Sequence, residues 1–196
     1  MRNSEVTIYK ILRKSATLFN TQGYKATSIS DITDATGFTK GAIYRHFKSK
    51  DELEKKALYY LSEQMNEKLR TIIKAEPTAG KKLRAILAFF KTYATNPPVK
   101  GGCPLLNAAV EADDTNPVLR QGAMKILNDL KSSILIILAN GIRFGQVRQN
   151  IDQNYYATII VAALEGAIMM SKLRGNNDDL ETVIRHLESL VTEIEV

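Results

Sequence analysis

Residues 28–47 read SISDITDATGFTKGAIYRHF, and this stretch decides the fold. The Ser28 hydroxyl is placed to cap free backbone N–H groups, and Asp31, three residues on, is spaced to reach back in a capping box. Ile29 and Ile32 fall on one helical face. Ala35 is small enough for a second helix to pack close, and Gly37 supplies the backbone freedom that a turn between two helices needs. Phe38 is expected to plug the corner. Thr39 is the next N-cap residue. It opens a second helix with Ala42, Ile43 and Phe47 on its apolar side and Lys40, Gly41, Tyr44, Arg45 and His46 outside. The spacing predicts a helix-turn-helix with a basic, polar outer face.

Such a unit lays its second helix in the major groove, with the first turn at base edges and flanking donors on phosphates. Gly41, lacking Cβ, lets the backbone approach the groove wall. Lys40 is the candidate for base contact, because its ammonium donors suit guanine O6 and N7. Ser28, Thr39, Tyr44, His46 and Lys50 suit phosphates, and Arg45 is a further donor on the same face. Tyr44 also fits an ordinary packed tyrosine, and His46 an ordinary surface imidazole. Charge favours double-stranded DNA as the partner: residues 1–56 hold 11 Lys/Arg against 6 Asp/Glu, whereas the rest of the chain holds 16 against 15. A basic surplus at one end releases counterions on binding phosphates, a salt-sensitive part of affinity.

The pattern GYKATSISDITDATGFTKGAIYRHFKSKDEL, Gly23 to Leu53, closely resembles the DNA-binding signature of the tetracycline-repressor (TetR) family of bacterial one-component regulators. The resemblance implies an all-α homodimer, a cytoplasmic ligand sensor and repression released by a small molecule. His46 stands where many relatives have Tyr, and Phe38 where Val is frequent, so the operator sequence does not transfer. GGCPLLNAAVEADDTNP, residues 101–117, also resembles the C-terminal domains of one TetR subgroup.

With 196 residues, 44% of them hydrophobic, the chain has enough material for a sizeable core, either in one large domain or in a small and a larger one. A charged content of 24% and a mean hydropathy of −0.17 fit a soluble globular protein. No apolar run is expected to approach the roughly 20 residues that span a bilayer, so no membrane partner is expected. MRNSEVTIYK has no apolar segment after its charges, so no signal peptide is expected. The single Cys fits a reducing, cytoplasmic setting.

Along the chain, Ile8, Ile11, Leu12, Ser15, Leu18 and Phe19 recur at helical spacing and predict a first helix from about Ser4 to Gln22, with Lys10, Arg13 and Lys14 outside and Gly23 ending it. Tyr24 is expected to pack back on this small domain. Ser49 should cap a long helix with Asp51 and Glu52 in its first turn and a stripe of Leu53, Ala57, Leu58, Leu61, Met65 and Leu69. At about 1.5 Å per residue such a rod carries a tilt over roughly 35 Å, a mechanical link between ligand and operator. Thr78 should cap a helix from about Ala79 to Thr95, NPPVKGG at 96–102 is a loop, and Pro104 to Ala112 is a short helix followed by a turn. Asn116 and Pro117 open a helix to about Gly145, Asp152 caps one through Leu173, and a last helix runs from Leu180 to about Ile194. The fold expected is all-α with about nine helices: a three-helix DNA-binding domain over 4–64 and a larger ligand-binding and dimerisation domain over 65–196.

The stretch YYATIIVAALEGAIMMSKL, Tyr155 to Leu173, is apolar on nearly every face, so it must be buried on more than one side. The last two helices are therefore expected to meet their two-fold mates in a four-helix bundle, with Ala163, Gly166, Ala167, Met170, Leu187 and Leu190 at the homodimer interface. Packing within one subunit is the alternative. A cavity for a small-molecule effector is expected among the helices of the larger domain, with Phe89, Phe90, Tyr93, Cys103, Leu106, Asn107, Glu111, Leu127 and Met169 as candidate lining and Asn107 and Glu111 setting its polarity. Aromatic and Met residues at such spacing equally suit an ordinary core. Cys103 is either an oxidation sensor or a buried apolar-like residue.

Two His and one Cys lie far apart, and none of GxSxG, HExxH, paired CxxC or a phosphate-binding glycine loop occurs. No enzyme, cofactor or metal site is expected. The function expected is a DNA-binding transcriptional regulator, a repressor released by a ligand. The alternative is an activator or architectural factor without an inducer.

Overall fold

The computed structural model describes residues 2–112, 114 and 116–196, with side chains from residue 4 on. Among them are nine α-helices: α1 (Arg2–Gln22), α2 (Ile29–Thr36), α3 (Lys40–His46), α4 (Lys50–Ala75), α5 (Ala79–Phe90), α6 (Pro104–Ala112), α7 (Pro117–Arg143), α8 (Gln153–Arg174) and α9 (Asp178–Ile194). A single antiparallel bridge, Val147 to Glu195, is the β pairing among the described residues. The expected turn after Ala112 falls on Asp113 and Thr115, which lie outside the described residues.

Contacts divide the chain into two compact units, Met1–Gln64 with Val99–Ile126, and Met65–Pro98 with Leu127–Val196. The first unit thus holds α6 and the start of α7 as well as the N-terminal helices, a grouping that the sequence division at 64/65 does not contain. Within it α1 packs on α2, α2 on α3 and α6 on α1. Its core includes Ile11, Phe19, Ile32, Ile43, Phe47, Leu53 and Leu58, the apolar positions expected from helical spacing. Tyr24 is buried and stacks flat on Phe19, with ring centroids 5.2 Å apart. Among the described residues its hydroxyl has no hydrogen-bond partner, and burial raises its pKa. Gly122 lets α7 lie close on α4: a Cβ there would sit 3.4 Å from Leu58.

In the second unit α9 packs against both α8 and α5. The Ser171 hydroxyl accepts from the Leu180 N–H at 3.0 Å, satisfying a donor in the first turn of α9, whose N-cap Asn177 makes no side-chain cap bond. Asn177 instead accepts from the Ala94 N–H and donates to Thr95. The segment before it explains a difference from expectation: α5 ends at Phe90, not Thr95, because Lys91 and Tyr93 turn to three-residue hydrogen bonds with Ala88 and Phe90. Arg84 holds Glu195 through both carboxylate oxygens, which keeps the Glu195 carboxyl below the ordinary range.

One membrane expectation is corrected. By length and composition α8 is long and apolar enough to cross a bilayer, although Glu165 interrupts its apolar run. Its Ala157, Ile160, Leu164 and Ile168 are nonetheless buried in a unit where it packs on α9, as in a core helix.

Candidate nucleic-acid interface

α2 starts where the sequence places it. The Asp31 N–H donates to the Ser28 hydroxyl, while the Ser28 N–H and hydroxyl donate to Asp31 Oδ2 at 2.7 and 2.8 Å. The capping box is complete, and those two Ser28 donors hold the Asp31 carboxyl below its ordinary pKa. The helix ends on Gly37 at φ 73°, a left-handed conformation that costs glycine nothing, with its N–H on the Thr33 carbonyl. Phe38 then turns the corner half-buried, and Thr39 accepts from the Ala42 N–H at 3.2 Å to start α3.

Burial of Ile43 and Phe47 fixes which side of α3 faces out. Thr39, Lys40, Gly41, Tyr44 and Arg45 are exposed, and His46 is half-exposed. A Cβ added at Gly41 would meet nothing within 4 Å, so within the protein its small size has no packing purpose. The Lys40 ammonium lies 5.9 Å from the Tyr44 ring centroid, on the same exposed row. This row presents a cation, hydroxyls and a bare stretch of backbone together, which suits base edges flanked by phosphates.

Lys50 differs from expectation. Its ammonium donates to the Tyr24 carbonyl at 2.8 Å and pairs with Glu54 at 3.2 Å, so it fastens the start of α4 to the α1–α2 connection. Glu54 is buried, which raises its pKa against the lowering effect of Lys50, and it also accepts from the Asn116 side chain at 2.7 Å. Asn116 in turn caps α7 by accepting from the Leu119 N–H.

The polar residues expected to line a cavity have other partners as well. Glu111 accepts from the Tyr24 N–H at 3.1 Å and the Lys25 N–H at 2.9 Å. The Asn107 amide donates to the Asn20 carbonyl, the Asn20 side-chain oxygen and the Gly101 carbonyl. Asn20 itself donates to the Lys100 and Gly102 carbonyls. Together these bonds strap α6 and the loop before it to the end of α1. Sequence reasoning missed Asn20; its signal is a polar side chain next to Phe19 on an inward face. Because Glu111 satisfies two backbone donors with a charged acceptor, Glu111→Ala is expected to cost the first unit about 2 kcal/mol in urea denaturation.

Cys103, Asn107 and Glu111 therefore belong to the first unit, and Phe90, Tyr93, Leu127 and Met169 to the second. Cys103 is buried. Phe90 and Tyr93 stack at 5.3 Å, and the Tyr93 hydroxyl lies 3.4 Å from the Met65 sulfur, whereas Leu127 and Met169 are exposed. The expected interface residues also divide. Ala167 and Leu187 are 1% and 0% exposed within their own subunit, so they belong to its core and present nothing to a second copy. Met170 is exposed, Ala163, Gly166 and Leu190 are half-exposed, and a Cβ at Gly166 would point into open space.

Comparison with known proteins agrees with this geometry. The model of the family described as bacterial regulatory proteins, tetR family, matches residues 11–57, and that described as tetracyclin repressor-like, C-terminal domain, matches residues 79–187. A crystal structure of a TetR transcriptional regulator from Chloroflexus aurantiacus is 36% identical, with 100% of this chain and 98% of that one aligned at a TM-score of 0.93. The HTH-type transcriptional repressor DhaR of Mycobacterium sp. is 24% identical over 87% of this chain and 85% of its own. The fold is shared with the TetR-family regulator CifR, solved with a 26-bp double-strand operator: TM-score 0.81 and 20% identity over 92% of this chain and 94% of that one. With a capped helix-turn-helix at one end and a family match across more than half its length, the chain belongs to the TetR family and is a DNA-binding transcriptional regulator.

Proposed function

We propose that the protein is a cytoplasmic homodimeric repressor, released from a pseudo-palindromic operator by a small molecule. Residues 4–64 form its reading domain, and residues 65–196 bind the effector and the second subunit. The observation that carries the reading is the exposed row on α3, where Lys40, Gly41 and Tyr44 face away from the core beside the N-cap Thr39. Lys40 reads a base, Gly41 admits the backbone to the groove, and Thr39, Tyr44, Arg45 and His46 hold phosphates, whereas Ser28, whose N–H and hydroxyl both donate to Asp31, serves as the cap of α2. Lys50 acts one step back, by holding the α1–α2 connection to α4. The repressor name of DhaR and the operator complex of CifR support the sign and the target.

A lone head reads few base pairs, whereas two related by symmetry read both half-sites. Support for pairing comes from α8, where Tyr155, Met169, Met170 and Leu173 stand exposed along one helix. For the effector, Phe90, Tyr93, Leu127 and Met169 remain the candidates, since Asn107 and Glu111 already have partners within the first unit.

The test is fluorescence anisotropy on a duplex selected from random-sequence DNA. Lys40→Ala should relax discrimination at one position per half-site by roughly 1–3 kcal/mol, while Tyr44→Ala should weaken all sequences alike. Base preference unchanged in Lys40→Ala would remove Lys40 from the readout. A compound that lowers the anisotropy of the parent complex in proportion to its occupancy supports release. Operator binding that no member of a broad metabolite and drug panel alters favours a regulator without an inducer.

A further inference from the structure

We infer that Lys10, on α1, is an additional phosphate contact of the reading head, held ready by the Phe38 ring; this rests on the DNA-binding reading above. The Lys10 ammonium lies 5.1 Å from the centroid of Phe38, the residue immediately before the N-cap of α3. Lys10 is exposed. Its charge is therefore placed beside the first turn of the recognition helix by an element outside the helix-turn-helix itself.

Two nearby cations, Lys50 and Lys56, differ from Lys10 in their partners. Lys50 pairs with Glu54 and Lys56 with Glu52 at 2.8 Å, so a carboxylate offsets each charge. Among the described residues no carboxylate pairs with Lys10, whose recorded partner is the face of an aromatic ring. A ring face orders the side chain without cancelling its charge. The ammonium thus meets a phosphate with part of its rotamer freedom already given up, and its attraction for the phosphate is intact. Phe38 acts as the positioning residue, a use for an aromatic side chain at a corner that a smaller apolar residue would also fill.

The experiment measures the affinity of the full chain for the selected duplex against potassium chloride concentration. Lys10→Ala is expected to weaken binding several-fold and to flatten the slope of log affinity against log salt by about 0.9 for each head engaged. Lys10→Arg should restore the slope. Phe38→Leu should shrink the effect of Lys10→Ala when the two are combined. Lys81→Ala removes the same charge from an exposed site in the second unit and should leave the slope as in the parent. A parental slope in Lys10→Ala, or an equal loss in Lys81→Ala, overturns the assignment while leaving DNA binding itself in place. A parent protein without salt-dependent binding to any duplex overturns both.

Discussion

Gly101→Ala is expected to destabilise the first unit by about 2–4 kcal/mol, more than any other single methyl group added to its loops. Gly101 has φ 102°, a backbone conformation that L side chains rarely adopt. A Cβ there would stand 2.3 Å from the Asn20 carbonyl oxygen and 2.7 Å from its carbon, both backbone atoms that cannot swing aside. Moving Asn20 breaks more than one bond, because its amide holds the Lys100 and Gly102 carbonyls and its oxygens receive Asn107. Gly37→Ala is the informative control. It also has positive φ, at 73°, but its Cβ would meet nothing within 4 Å, so only the conformational cost of about 1 kcal/mol remains. Hydrogen exchange at residues 18–26 with urea denaturation separates the two. Equal losses would mean that the loop before α6 is not what secures the end of α1.

Gly166→Trp is expected to give folded monomers whose operator affinity falls by about three orders of magnitude, toward the non-specific level. A side chain at position 166 enters open space in the subunit, so the fold should tolerate it, and circular dichroism should keep the parent's helical signal. In the proposed homodimer a second copy approaching this face of α8 would meet an indole in place of bare backbone. Without a second head only one half-site is held, and the symmetric reading of the operator is lost. Sedimentation that still returns a dimer at parental concentrations would remove the middle of α8 from the interface.

The local signals in the sequence were strong wherever one residue and the backbone decide the outcome. Ser28 with Asp31, Thr39, Thr78, Asn116 and Asp152 each cap the helix expected of them, because a short hydroxyl, amide or carboxylate at a helix start has few better partners. The stripe from Leu53 to Leu69 is buried throughout for the same reason of simple periodicity. What the sequence concealed is long-range pairing of polar groups. Glu111 and Tyr24 are 87 positions apart, and Asn20 and Gly102 are 82. Helical spacing says that Asn107 and Glu111 share a face; it does not say that backbone donors of the α1–α2 connection wait opposite Glu111.

Lys50 illustrates the same limit at short range. Its position just after α3 suggested a phosphate, but Glu54 one turn on and the Tyr24 carbonyl engage two of its three donors. Leu187 and Ala167 read as interface residues because amphipathic patterns cannot distinguish burial in a subunit from burial between subunits. Leu187 lies in the core of its own unit. The end of α5 at Phe90 was hidden because Lys91 to Thr95 contains no glycine or proline to mark a stop.

The measurement that bears most directly on the account is selection of bound fragments from random duplex DNA by the full-length protein. The account predicts two inverted half-sites whose centres are about 10–10.5 bp apart or a multiple of that, with enrichment lost in the Lys40→Ala, Tyr44→Ala double variant. Recovery of a single unpaired motif, or no enrichment by the parent, would contradict it.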